Sequence, residues 1–116
     1  MAAAIPRQPS DPVYQLVREG RSGDFNRQRK PGDQCDLHGC NLRGLDLREF
    51  DFSNIDLSDC YFRQADLRGL DLRSCRLQGA SLHAARVSGT YFPIDLAPAE
   101  IEMSVRLGTR LRYRRD

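Results

Sequence analysis

Lysine is almost missing from this chain: Lys30 is the only one, so there is no lysine-rich field of the kind that grips a phosphate backbone. The 18 basic residues stand against 16 acidic ones, a formal net charge of +2, and the two signs are interleaved rather than segregated. Long apolar runs are missing too. Ala2 to Ile5 is too short for a signal-peptide core or a membrane span, so a cytoplasmic protein without a membrane partner is expected. Cys35, Cys40, Cys60 and Cys75 lack the paired spacing through which zinc ligands converge, and small buried thiols are the expected role. No glycine-rich phosphate loop follows a strand, and neither His38 nor His83 has a nucleophile and an orienting carboxylate beside it. The chain is therefore expected not to be an enzyme, with no catalytic, metal-binding or cofactor-binding residue and no cofactor.

What is present is a repeat of period five. From Cys35 to Ile94 the chain reads CDLHG, CNLRG, LDLRE, FDFSN, IDLSD, CYFRQ, ADLRG, LDLRS, CRLQG, ASLHA, ARVSG, TYFPI, without an insertion. The third residue of every unit is large and apolar: Leu37, Leu42, Leu47, Phe52, Leu57, Phe62, Leu67, Leu72, Leu77, Leu82, Val87 and Phe92. These residues are the expected core. The first residue is apolar or Cys except at Thr90, and the remaining positions are rich in Asp, Asn, Arg, Ser and Gly.

A helix advances about 500° in five residues, which would spiral the Leu and Phe positions around its axis and leave no stripe to bury. A straight strand alternates with period two and would send successive third positions to opposite faces. The chain must turn once per unit. First and third positions then point inward together, while the polar and Gly residues make the turns. Such a coil has no interior pocket, because Leu and Phe fill it.

In these units the chain resembles the pentapeptide-repeat proteins, whose consensus is A(D/N)LXX with the central Leu inward. The resemblance is nearest to short bacterial members with an N-terminal helix and a basic C-terminal tail. It implies an all-β solenoid: a right-handed quadrilateral β-helix of about three coils, 35–54, 55–74 and 75–94, with residues twenty apart stacked and short capping helices at both ends. In that register Cys40 and Cys60 stack at a distance where a disulfide is conceivable. Phe50 is bulkier than the first position normally holds, so the coil is expected to bulge there, with Leu70 and Thr90 stacked beside it.

The flanks read as caps for the open ends of such a solenoid. Residues 1–34 form an N-terminal arm and a helix that starts at Asp11–Pro12, buries Val13, Leu16 and Val17, and stops at Gly20. Residues 95–116 form a second capping helix, with Ile101 and Val105 on one face and Gly108 after it, followed by a basic tail. Arg110, Arg112 and Arg114 alternate there with Leu111 and Tyr113, which suggests a strand with one wet face, paired to a neighbour's edge. The resemblance implies that such a C-terminal segment also joins two protomers, so a homodimer is one expected assembly.

Function, if it lies on the prism, lies on its outward ladders. Arg43, Arg63 and His83 form one column; Arg48 and Arg68 form another, with Asp46 and Asp66 beside it. The plain reading is a surface salt-bridge network in which each pair is worth about 0–1 kcal/mol. The functional reading is a flat protein-recognition face, with Arg43, Arg48, Arg63, Arg68 and Arg73 as contacts, joined by Arg110, Arg112, Tyr113 and Arg114 of the tail. Nucleic-acid binding through the same arginines, with Tyr113 as a stacking platform, is the alternative. The resemblance implies a third reading, binding of a topoisomerase such as gyrase by mimicry of DNA, which the short block and the lack of acidic charge disfavour.

Overall fold

The computed structural model describes Pro6, residues 11–29 and residues 36–114; Cys35, the first residue of the repeat, lies outside them. Most of the pentapeptides close a β-turn over their fourth and fifth residues. The N–H of the following first-position residue donates to the third-position carbonyl, as in Phe50 to Leu47 at 3.1 Å, Ala65 to Phe62 at 2.9 Å and Ala85 to Leu82 at 2.9 Å. Turns of type II need a positive φ at their third residue. Glycine supplies it at Gly44, Gly69 and Gly89, but Asn54, Asp59, Gln64 and Ala84 adopt it as well, at φ 58 to 62°. The Asp or Asn at position two holds the other side of the turn. Its side-chain oxygen accepts the N–H of position four: Asn41 from Arg43 at 3.1 Å, Asp46 from Arg48 at 3.2 Å, Asp71 from Arg73 at 3.1 Å.

Four such turns bring the chain back over itself. Parallel bridges join Asp36 to Asp56 and Asp56 to Arg76, Asn41 to Tyr61 and Tyr61 to Ser81, Asp46 to Asp66 and Asp66 to Arg86. The expected twenty-residue stacking is therefore present. Between courses, the N–H groups of Leu57, Phe62 and Leu67 donate to the carbonyls of Arg76, Ser81 and Arg86 at 2.8–2.9 Å. The contacts are isolated bridges rather than continuous strands, because each side of the coil has only a residue or two between turns.

The third positions from Leu37 to Leu82 are all at most 2 % exposed. Val87 and Phe92 depart from the expectation: they are only partly buried, packed against the edge of the core. The first positions Cys40, Ile55, Cys60, Ala65 and Ala80 are buried beside them. Cys40 and Cys60 are free thiols, and no disulfide joins them. The thiols of Cys60 and Cys75 donate to the carbonyls of Leu37 and Phe52 at 3.0 and 3.1 Å. Burial pushes both thiols up, Cys75 to about 11, so they stay protonated and fill space.

Two helices close the first coil, where one was expected. In α1 (Pro12–Arg18) the Asp11 carboxylate accepts the Val13 N–H at 2.7 Å, and Pro12 occupies the first turn. Helix α2 (Ser22–Gln28) has one buried residue, Phe25, whose ring meets Phe50 and Phe52 edge-on at 5.3 and 5.7 Å. Phe50 and Phe52 stack on each other, and Phe50 is only 4 % exposed. The oversized first position is thus a socket for Phe25. Asn26 locks the same joint, accepting the Asp51 N–H and donating to the Glu49 carbonyl at 2.8 and 2.9 Å.

The last coil has no course above it, and α3 (Pro98–Leu107) with the tail supplies partners for part of its edge. The N–H of Leu77 donates to the Tyr113 hydroxyl, that of Gly79 to the Leu111 carbonyl, that of Leu82 to Ser104 Oγ and that of Ala84 to the Val105 carbonyl, all at 2.8–2.9 Å. Ile101 and Val105, the expected buried face of α3, are half-exposed, and Ser104 is the residue it buries. The tail pairs with its own chain: Arg110 bridges Ser81 antiparallel, and Leu111 is fully buried. This cover spans the sides that hold Leu77 and Leu82 and stops short of Val87 and Phe92, which explains their exposure.

Candidate interaction surface

The five arginines of the repeat block that looked alike in sequence fall into two groups. Arg48, Arg68 and Arg73 each follow an Asp by two residues, and the turn that fixes the Asp brings its carboxylate under the guanidinium. Nε and Nη2 then donate to the two oxygens of Asp46, Asp66 and Asp71 at 2.7–2.9 Å. These are fork-to-fork pairs within one unit, with a cross-rung contact from Arg48 to Asp66 at 3.4 Å. The hydrogen bonds from arginine hold the Asp66 and Asp71 carboxyls down to about 2, and hold Asp46 below its usual range. The salt-bridge network expected for these columns is present, built within units more than between them. His38 sits on Asp36 in the same way, its Nδ1 2.8 Å from the carboxylate.

Arg43 and Arg63 differ because position two of their units is Asn41 and Tyr61. Among the described residues neither guanidinium has a carboxylate within ion-pair distance, and Arg63 Nε is buried with no hydrogen-bond partner. The backbone stacks these rungs: Gly44 N–H donates to the Arg63 carbonyl and Gln64 N–H to the His83 carbonyl, both at 2.9 Å. Arg18 of α1 extends the column at its lower end, donating to the Arg43 carbonyl at 3.4 Å. At the upper end the His83 ring lies against Gly108, where a Cβ would come within 2.8 Å of Nδ1. The strip made by 40–44, 60–64 and 80–84 contains no Asp or Glu. It is bordered on one side by Asp36, Asp56 and Asp59 and on the other by Asp46 and Asp66. Arg18 was missed in sequence because nothing in its helix tells which coil side α1 lies along.

The tail residues are placed in structural roles. Arg112 forks onto Glu100 at 3.1 and 2.9 Å, which keeps the Glu100 carboxyl ionised below its usual range. Arg110 donates to the Gly79 carbonyl at 2.9 Å and approaches Asp59 at 3.9 Å. The Tyr113 hydroxyl is used on the last coil, and Arg114 donates its backbone N–H to the Asp95 carbonyl at 2.8 Å. An apolar cleft of about 310 Å³ lies between Val87 and the Ile101–Val105 face of α3. Among the described residues no three His, Cys, Asp or Glu side chains gather as a metal site, and no helix is long and apolar enough to cross a membrane.

No curated protein matches the chain. The family model for pentapeptide repeats does, in eight copies, over residues 33–54 and 55–92, which is more than half of the sequence. The period, the inward third position and the twenty-residue stacking agree with that match, and the chain belongs to the pentapeptide-repeat family.

Proposed function

We propose that this chain is a non-enzymatic protein-interaction module, a short right-handed quadrilateral β-helix that presents the acid-free strip to an acidic partner protein. One observation carries the reading. Arg48, Arg68 and Arg73 are each neutralised by an Asp of their own unit, whereas Arg43 and Arg63 have none and Arg18 stands beside them. An arginine already held in a fork has little left for a partner, while an unpaired one keeps its planar donor array for a carboxylate. The strip is cationic, the opposite sign to a surface that imitates DNA, which supports a partner of acidic character over a topoisomerase bound by mimicry.

Affinity purification of the tagged chain from its native host, with and without nuclease, tests this. A co-purifying protein that survives nuclease treatment is the expected result. Loss of everything on nuclease treatment contradicts it and transfers the strip to nucleic acid, whose binding would also fall steeply with salt.

A further inference from the structure

We infer that the occupant of the acid-free strip is an acidic α-helix lying along the coil axis, with Asp or Glu recurring every three to four residues. The inference rests on the reading of the strip as a protein-binding face and specifies the shape of what binds there. The first consideration is spacing. Stacked courses are separated by about 4.8 Å, so Arg43, Arg63 and His83 stand about 10 Å apart from first to last at their backbones. Same-face residues of a helix recur on average every 3.5 positions, about 5.3 Å of rise, and stay within about 1 Å of the rungs over two steps. Same-face residues of an extended strand recur every two positions, about 6.7 Å, and run about 4 Å out of step over the same distance.

The second consideration is width. The strip is one side of the coil, and its borders carry carboxylates: the Asp46 side chain is 58 % exposed on one border and that of Asp59 is 57 % exposed on the other. A broad polyanion would lay its outer phosphates on these borders, where the arginines are already matched by Asp46, Asp66 and Asp59 and have little left to receive them. A single helix with one acidic ridge touches the arginines and clears both borders, and basic or neutral flanks on that helix would favour the Asp rows. The third consideration is the Arg63 Nε, which folding leaves without an acceptor. A carboxylate that draws the guanidinium outward gives that donor a partner, so the interaction gains from a group the free protein leaves unsatisfied.

The test uses the whole chain and three fluorescent probes in anisotropy titrations at low salt. The first is an alanine-based peptide of about twenty residues with Glu at i, i+4, i+7 and i+11, its helicity verified by circular dichroism under the titration conditions. The second has the same length and Glu count with some alanines replaced by proline to prevent helix formation, and the third is an oligothymidylate of similar charge. The helical peptide should bind at least about tenfold more tightly than the proline peptide, and Arg43→Ala/Arg63→Ala should weaken it about tenfold, with less effect from Asp46→Ala/Arg48→Ala. Equal binding of the two peptides overturns the helix while leaving the strip as an acidic-partner face. Tighter binding of the oligonucleotide overturns both. If no probe binds but capture of a protein from the host still depends on Arg43 and Arg63, the inference fails and the proposed function stands. If capture ignores those arginines, the two fail together.

Discussion

The hydroxyl of Tyr113 accepts the backbone N–H of Leu77 at 2.9 Å, a bond between residues thirty-six apart that does what a fourth coil would do. Ser104 Oγ does the same for Leu82, and the carbonyls of Leu111 and Val105 do so for Gly79 and Ala84. A stack of repeats ends where its ladder can be satisfied by something other than another repeat, and here two side-chain hydroxyls and two carbonyls terminate it.

Tyr113→Phe keeps the ring and removes the acceptor, and Ser104→Ala removes the other hydroxyl. Each should leave a buried N–H unpaired and lower unfolding free energy by about 1–3 kcal/mol, read as a lower urea midpoint with an unchanged circular dichroism spectrum. A midpoint equal to wild type in both variants would mean that the cap does not hold the last coil.

Ala84 sits at φ 60° on the surface, a conformation that costs an L-residue about 1–2 kcal/mol, against about 0.4–1 kcal/mol of unfolded-state entropy that glycine adds. Ala84→Gly should therefore raise thermal stability slightly. Gly69→Ala, at φ 74° with open space around it, should lower it. The reverse order in a melting experiment would contradict the turn geometry assigned to position five.

Leu57 is fully buried at the centre of the middle coil. Leu57→Arg should abolish folding, because a charge there has neither water nor a partner. Arg63→Ala should leave the thermal transition nearly unchanged, since it removes a donor that has no acceptor. A native spectrum for Leu57→Arg would refute the inward register.

Asp66 and Asp71 have carboxyls held down to about 2 by their arginines, and Asp46 is lowered for the same reason. A folded-state pKa below the unfolded value of about 3.9 means stability that is complete above that pH and is lost as pH falls toward 2. Urea midpoints measured from pH 5 to pH 2 should decline across that window. Asp66→Asn/Asp71→Asn should flatten the decline, and superimposable profiles would show that the forks do not contribute.

The period of five carried the core into view, because only a chain that turns once per unit keeps every third position inward; the stacking of residues twenty apart was implied by the resemblance to pentapeptide-repeat proteins and not by the period. Leu57 and Leu67 were legible in that way. Val87 and Phe92 have the same position in the repeat and are less buried, since their burial depends on a cap whose reach no repeat encodes. Helix α2 was invisible because SGDFNRQ offers one apolar residue, and Phe25 becomes a cap only in the presence of Phe50 and Phe52. Ser104 looked like surface, its hydroxyl having meaning only against the open N–H of Leu82. The division of the arginines was in the sequence all along, in whether Asp stands two residues earlier. It could be used only once the turn had shown that this spacing closes a fork.

On the proposed function, Arg43 and Arg63 meet the partner and the paired arginines do not. The direct measurement is arginine-selective dicarbonyl labelling of the free chain and of the chain captured with its partner, quantified residue by residue by mass spectrometry. Protection of Arg43 and Arg63 on capture, with Arg73 and Arg86 labelled equally in both samples, is the predicted result. Unchanged labelling of Arg43 and Arg63 in a chain that holds its partner would contradict the account.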